Sequence, residues 1–128
     1  MTTNLKLENR VKFIGYVSHA EMSKYLHASD IFIRPSVSEG LGNSFLEAMA
    51  AGLPVIGTPV GGIPDFLRDG ETGLFCEVHN PRSIAQKVEK LIKDRESRNY
   101  IIKQAKAMVE EKYTWNKIAG EMKKIFVG

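Results

Sequence analysis

One cysteine, Cys76, stands in 128 residues, so no internal disulfide can form. It lies in Gly73-Leu74-Phe75-Cys76-Glu77-Val78, a strand-like run, where a buried, inert thiol is expected rather than a nucleophile. No apolar run approaches the roughly 20 residues a membrane span needs. The opening Met1-Thr2-Thr3-Asn4-Leu5-Lys6 has no hydrophobic signal core. A cytoplasmic location is the resulting expectation. Charge of one sign is scarce too: Lys plus Arg is 18 against 15 for Asp plus Glu, a net of +3. An excess this small gives no reason to expect nucleic acid, and fits either a handler of small anions or an ordinary surface. His19, His27 and His79 are scattered without ligand spacing, so no metal site is expected. Repeats and low-complexity stretches are absent.

What is present is an ordinary globular composition, 43% apolar and 26% charged. The length suits one domain with a radius of gyration of roughly 14 Å. Short apolar runs alternate with amphipathic ones, which argues for α/β layering. Val11–Val17 reads as a strand. Ser18-His19-Ala20-Glu21 has capping-box spacing and opens a helix with Met22, Tyr25 and Leu26 on one face. Ile31–Arg34 reads as a second strand, closed by Pro35. A helix from Asn43 or Ser44 ends at Gly52. Pro54–Gly57 and Leu74–Val78 read as further strands, with one helical turn at Ile63–Leu67 between them. Gly70 and Gly73 flank a tight turn at positions where positive φ is expected. Asn80 can cap a helix with Pro81 at its first position and a stripe of Ile84, Val88, Leu91 and Ile92. A second helix shows Ile101, Ala105, Met108 and Val109. A third, capped by Thr114, shows Trp115, Ile118, Ala119, Met122, Ile125 and Phe126.

The informative stretch is Pro35–Pro54. It places Glu39 and Glu47 eight positions apart, with Gly40, Gly42 and the start of a helix between them. The first N–H groups of a helix lack internal partners and carry the positive end of its dipole. Glycines there let a ligand approach the backbone, as a phosphate or pyrophosphate requires. Carboxylates beside such a site would repel phosphate, but they suit hydroxyl groups of a sugar or ribose. Two plainer readings stay open on spacing alone. Ser44-Phe45-Leu46-Glu47 is itself a capping box, and Glu39 could be an ordinary loop acid.

Three runs extend the pattern: Phe13-Ile14-Gly15-Tyr16-Val17, Ala28-Ser29-Asp30-Ile31-Phe32-Ile33-Arg34-Pro35-Ser36, and Glu39 through Ile56. Gly61-Gly62-Ile63-Pro64-Asp65 and Asp69-Gly70-Glu71-Thr72-Gly73-Leu74 follow. Together they resemble the C-terminal domain of the retaining family-4 glycosyltransferases, from about Val11 to Trp115. The E-x7-E element from Glu39 to Glu47 is highly specific in this frame. The resemblance implies an α/β fold: the Rossmann-like C-terminal half of a GT-B glycosyltransferase, lacking its first two strand–helix units. It implies one partial nucleotide-sugar-binding domain over 1–128, with C-terminal helices over 81–128. Glu39 would contact the donor sugar near the reacting centre. The loop Gly40-Leu41-Gly42-Asn43-Ser44 would cradle the diphosphate and sugar, Glu47 would bind the ribose hydroxyls, and Val17 and Ser18 would lie near the nucleobase. The implied activity is hexosyl transfer with retention, using a nucleotide-diphosphate sugar as substrate and no cofactor or metal. The double-displacement template of two acids flanking a glycosidic bond does not carry over, because the second acid is committed to the ribose.

The same resemblance marks departures. The family's two preceding units carry an Arg and a Lys that neutralise the diphosphate, and the acceptor domain precedes them. This chain starts at what matches the third strand. A helix dipole alone contributes only about 0.3–1 kcal/mol per interaction. Weak donor binding and no useful turnover by the chain alone are therefore expected. An open strand edge and a helix short of its partner point to a homodimer, a rearranged sheet or a separate acceptor-domain polypeptide. A non-catalytic nucleotide-sugar-binding subunit or an interaction module is the alternative. Membrane association through the basic last third is a further option, since relatives act on lipid-linked acceptors, although its apolar stripes look committed to packing.

Overall fold

Ser18 caps the first helix as expected: the N–H of Glu21 donates to its Oγ at 3.3 Å and opens α1 at His19–His27. The computed structural model describes residues 9–36 and 43–112. After α1 come β1 (Phe32–Arg34), α2 (Asn43–Ala50), β2 (Val55–Gly57), a 3-10 turn (Ile63–Asp65), β3 (Leu74–Phe75), α3 (Pro81–Lys93) and α4 (Arg95–Lys112). The strands form a parallel sheet in the order β1-β2-β3, with Phe32 opposite Val55 and Ile56 opposite Leu74. Parallel neighbours need crossovers, and α2 supplies the one between β1 and β2.

Two apolar clusters cover the two faces of this sheet, as a parallel sheet requires. Alternation along β2 sorts them. Val55 joins Phe45, Met49, Ile63, Phe66 and Leu67 on one face. Ile56 joins Leu74, Cys76, Leu91 and Ile101 on the other. The C-terminal half of α4 reaches the first cluster through Ala105 and Val109, while Ile101 serves the second.

Helix ends follow their local chemistry. Gly52 takes φ +85° after α2, and the N–H groups of Gly52 and Leu53 donate to the carbonyls of Met49 and Ala48. That pair of bonds is a Schellman motif. Asn80 caps α3 through Oδ1, which accepts the Ser83 N–H at 3.1 Å, with Pro81 at the first position.

Several expectations change. Residues 11–17 are not a strand: Phe13 is 83% and Tyr16 94% exposed, and Gly15 has φ +76°. A strand is held by ladder partners, and among the described residues none pairs with this run. The strand expected at Leu74–Val78 stops at Phe75, where the pairing with β2 ends at Gly57. Tyr25 and Ile92 lie outside the buried stripes of their helices, at 41% and 62% exposure. Gly73 does not need positive φ; only Gly70 of that turn has it, at +78°. The expected helix from Thr114 lies outside the described residues.

Candidate functional site

The carboxyl ends of β1 and β2 and the amino end of α2 meet at one corner of the sheet, where ligands bind in open α/β folds. Phe45 fixes the helix there. Its ring is fully buried, 5.1 Å from Phe32 in an edge-on contact and 5.8 Å from Phe66. Gly57 makes room for it, since a Cβ there would stand 2.9 Å from the Phe45 ring.

The backbone leaving β1 is tied down at its start. The N–H of Ser36 donates to the carbonyl of Arg34 at 3.0 Å. The carbonyl of Ser36 accepts the hydroxyl of Thr58 at 2.5 Å from the end of β2. Thr58 is fully buried and Ser36 half-buried, so the bond is partly shielded from water. Arg34, the last residue of β1, donates from its guanidinium to Ser44 Oγ at 2.8 Å.

Ser44 is the second residue of α2, inside the helix and not at its cap. Its hydroxyl is engaged by Arg34, and Glu47 sits one turn further in. The capping-box reading of Ser44 and Glu47 is thereby corrected, because a cap residue must precede the helix. Glu47 is half-buried and lines a cavity of about 250 Å³ with Met22, Phe32, Arg34 and Ser44. Its surface is mainly apolar, and Arg34, Ser44 and Glu47 stand among the residues that line it.

Of the predicted residues, Ser44 and Glu47 come together at this cavity. Val17 and Ser18 are half-buried and do not line it; Ser18 is engaged in capping α1. Asn43 begins α2. Glu39, Gly40, Leu41 and Gly42 lie outside the described residues. Arg34 and Thr58 escaped the sequence reading. The one available signal for Arg34 was a cation directly before proline at a strand end.

A larger cavity of about 800 Å³ opens at the opposite end of the sheet, lined by Ile31, Pro54, Ile92 and Arg98 among others. It lies at the amino ends of β1 and β2, away from α2's first turn. Cys76 is elsewhere again, at 3% exposure, and burial pushes its thiol pKa up. Among the described residues no group of three or more His, Cys, Asp or Glu side chains could hold a metal, and no helix is long and apolar enough to cross a membrane.

A parallel α/β sheet with a helix amino end at its carboxyl edge defines a Rossmann-like class, here the C-terminal half of a GT-B glycosyltransferase. The model for glycosyl transferases group 1 matches residues 1–108, and the chain belongs to that family. It is 37% identical over 122 residues to an uncharacterized glycosyltransferase of Methanocaldococcus jannaschii, covering 95% of this chain and 31% of that protein. It is 36% identical over 126 residues to N-acetyl-alpha-D-glucosaminyl L-malate synthase of Bacillus anthracis, covering 98% and 32%. Among solved structures, Anabaena HepE in complex with UDP and glucose superposes with a TM-score of 0.91 at 25% identity, covering 98% of this chain and 34% of that one. The chain thus spans about a third of the length of these relatives.

Proposed function

We propose that this chain forms the donor side of a retaining glycosyltransferase that moves a hexose from a nucleotide-diphosphate sugar to an acceptor. The observation that carries the reading is the likeness, over nearly all of the chain, to HepE, a protein solved with UDP and glucose. The cavity at α2 supports it: a carboxylate one turn inside a helix suits ribose hydroxyls, while the helix amino end suits phosphate. In this reading Glu47 takes the ribose, 40–44 takes the diphosphate and sugar, and Glu39 faces the reacting centre. Val17 and Ser18 flank the base. The chain contributes part of a donor-binding domain, with α3 and α4 packed on its sheet, and spans about a third of the length of its relatives.

Titration of the chain with UDP- and GDP-sugars, followed by calorimetry or amide NMR shifts, tests the proposal. Saturable binding weaker than micromolar is expected, with shifts in the first turn of α2. Transfer is expected when an acceptor half is present, and Glu39→Ala should abolish it. No saturable binding at millimolar nucleotide sugar sinks the reading.

A further inference from the structure

We propose that Arg34 is a positioning residue of the donor site, acting through Ser44 to hold the first turn of α2 where a diphosphate meets it. The inference rests on the donor reading above and deepens it. Arg34 precedes Pro35, and a residue before proline is confined to extended backbone. It is therefore held as the last residue of β1, paired with Gly57 in the sheet. Strand alternation puts its side chain on the same face as Phe32, the face that α2 covers. From there the guanidinium donates to Ser44 Oγ at 2.8 Å, ten positions along the chain.

Ser44 is not a passive anchor. Its own N–H is one of the first in α2, and such groups have no acceptor within their helix. Fixing Ser44 to β1 fixes the direction in which those N–H groups point. Arg34 and Ser44 also line the cavity that Glu47 lines, so a cation stands beside the carboxylate's cavity. A guanidinium keeps its charge at any ordinary pH, which suits it to stand near a diphosphate.

The test compares UDP with uridine as probes, by NMR titration of the full chain. Uridine keeps the base and ribose contacts and lacks the diphosphate. Wild type, Arg34→Gln, Ser44→Ala and the double variant are each titrated with both. Arg34→Gln should weaken UDP roughly five- to tenfold, the loss expected of one charged hydrogen bond near the surface, and leave uridine unchanged. Ser44→Ala should weaken UDP in the same sense, and the double variant should be no weaker than Arg34→Gln. Equal losses for UDP and uridine, additive losses in the double variant, or no loss at all overturn the inference while the donor reading stands. A wild-type chain that binds no UDP overturns both.

Discussion

The hydroxyl of Thr58, at the end of β2, donates to the carbonyl of Ser36, 22 residues earlier and just past β1. It ties the backbone leaving one strand to the end of the next, beside the helix that carries Glu47. Thr58 is fully buried and Ser36 half-buried, so a variant that removes the donor loses a partly shielded bond. Thr58→Val should lower unfolding stability by about 0.5–1.5 kcal/mol. Thr58→Ser restores the hydroxyl and should recover most of the loss. Urea unfolding of the three proteins measures both; a valine variant as stable as wild type would show that the bond contributes nothing to stability.

The turn at Asp69–Gly73 separates two reasons for glycine. Gly70 has φ +78° and open space where a Cβ would stand, so its constraint is conformational. Gly73 has ordinary φ, but a Cβ there would meet Val55 Cγ2 at 2.8 Å and the Val55 carbonyl at 2.9 Å. Alanine at Gly70 should cost about 1–2 kcal/mol, and asparagine less, because asparagine visits the left-handed region. At Gly73 the order reverses: alanine should cost about 1–3 kcal/mol through overpacking, and the larger asparagine more. Thermal unfolding of the four variants decides it. Asparagine as the milder change at both sites would refute the distinction.

The sequence made Gly70 legible and not Gly73. Turn chemistry is local, whereas the crowding at Gly73 comes from Val55 across the sheet. The same division runs through the fold. Caps at Ser18 and Asn80 and the glycine after α2 depend on neighbours within a few residues, and they form as read. The 11–17 run has strand composition, but composition supplies no ladder partner. At the candidate site, Ser44 and Glu47 follow from a motif. Arg34 and Thr58 acquire their roles only through partners ten and 22 positions away.

Burial of Cys76 has a pH consequence. Desolvation raises its thiol pKa, so the folded state keeps the proton where the unfolded chain releases it. Unfolded chains then bind fewer protons than folded ones above the ordinary thiol pKa. Stability should be flat with respect to this group below that value and should fall as pH climbs from there toward the raised folded value. Cys76→Ser, which does not titrate in this range, should lack that component. Denaturant midpoints for both proteins across the alkaline range measure the difference. Identical pH slopes would contradict the assignment. Labelling by a thiol reagent at neutral pH should be slow in native conditions and fast in urea.

Glu47 lends itself to a test that needs no acceptor and no turnover. A carboxylate that accepts from ribose hydroxyls discriminates between nucleotides that have them and nucleotides that do not. The wild-type chain should bind UDP more tightly than 2′-deoxy-UDP, by roughly three- to tenfold for one charged hydrogen bond at a partly exposed group. Glu47→Ala should weaken UDP more than 2′-deoxy-UDP, which keeps the 3′-hydroxyl, so that the two affinities move closer together. Glu47→Gln keeps an acceptor without the charge and should fall between. A carboxylate that merely supported the helix would lower both affinities together and preserve their ratio. Glu47 is half-buried on the cavity wall and not in the core, so these variants should fold, and far-UV circular dichroism verifies it. A preference for UDP that survives Glu47→Ala undiminished would place the ribose elsewhere.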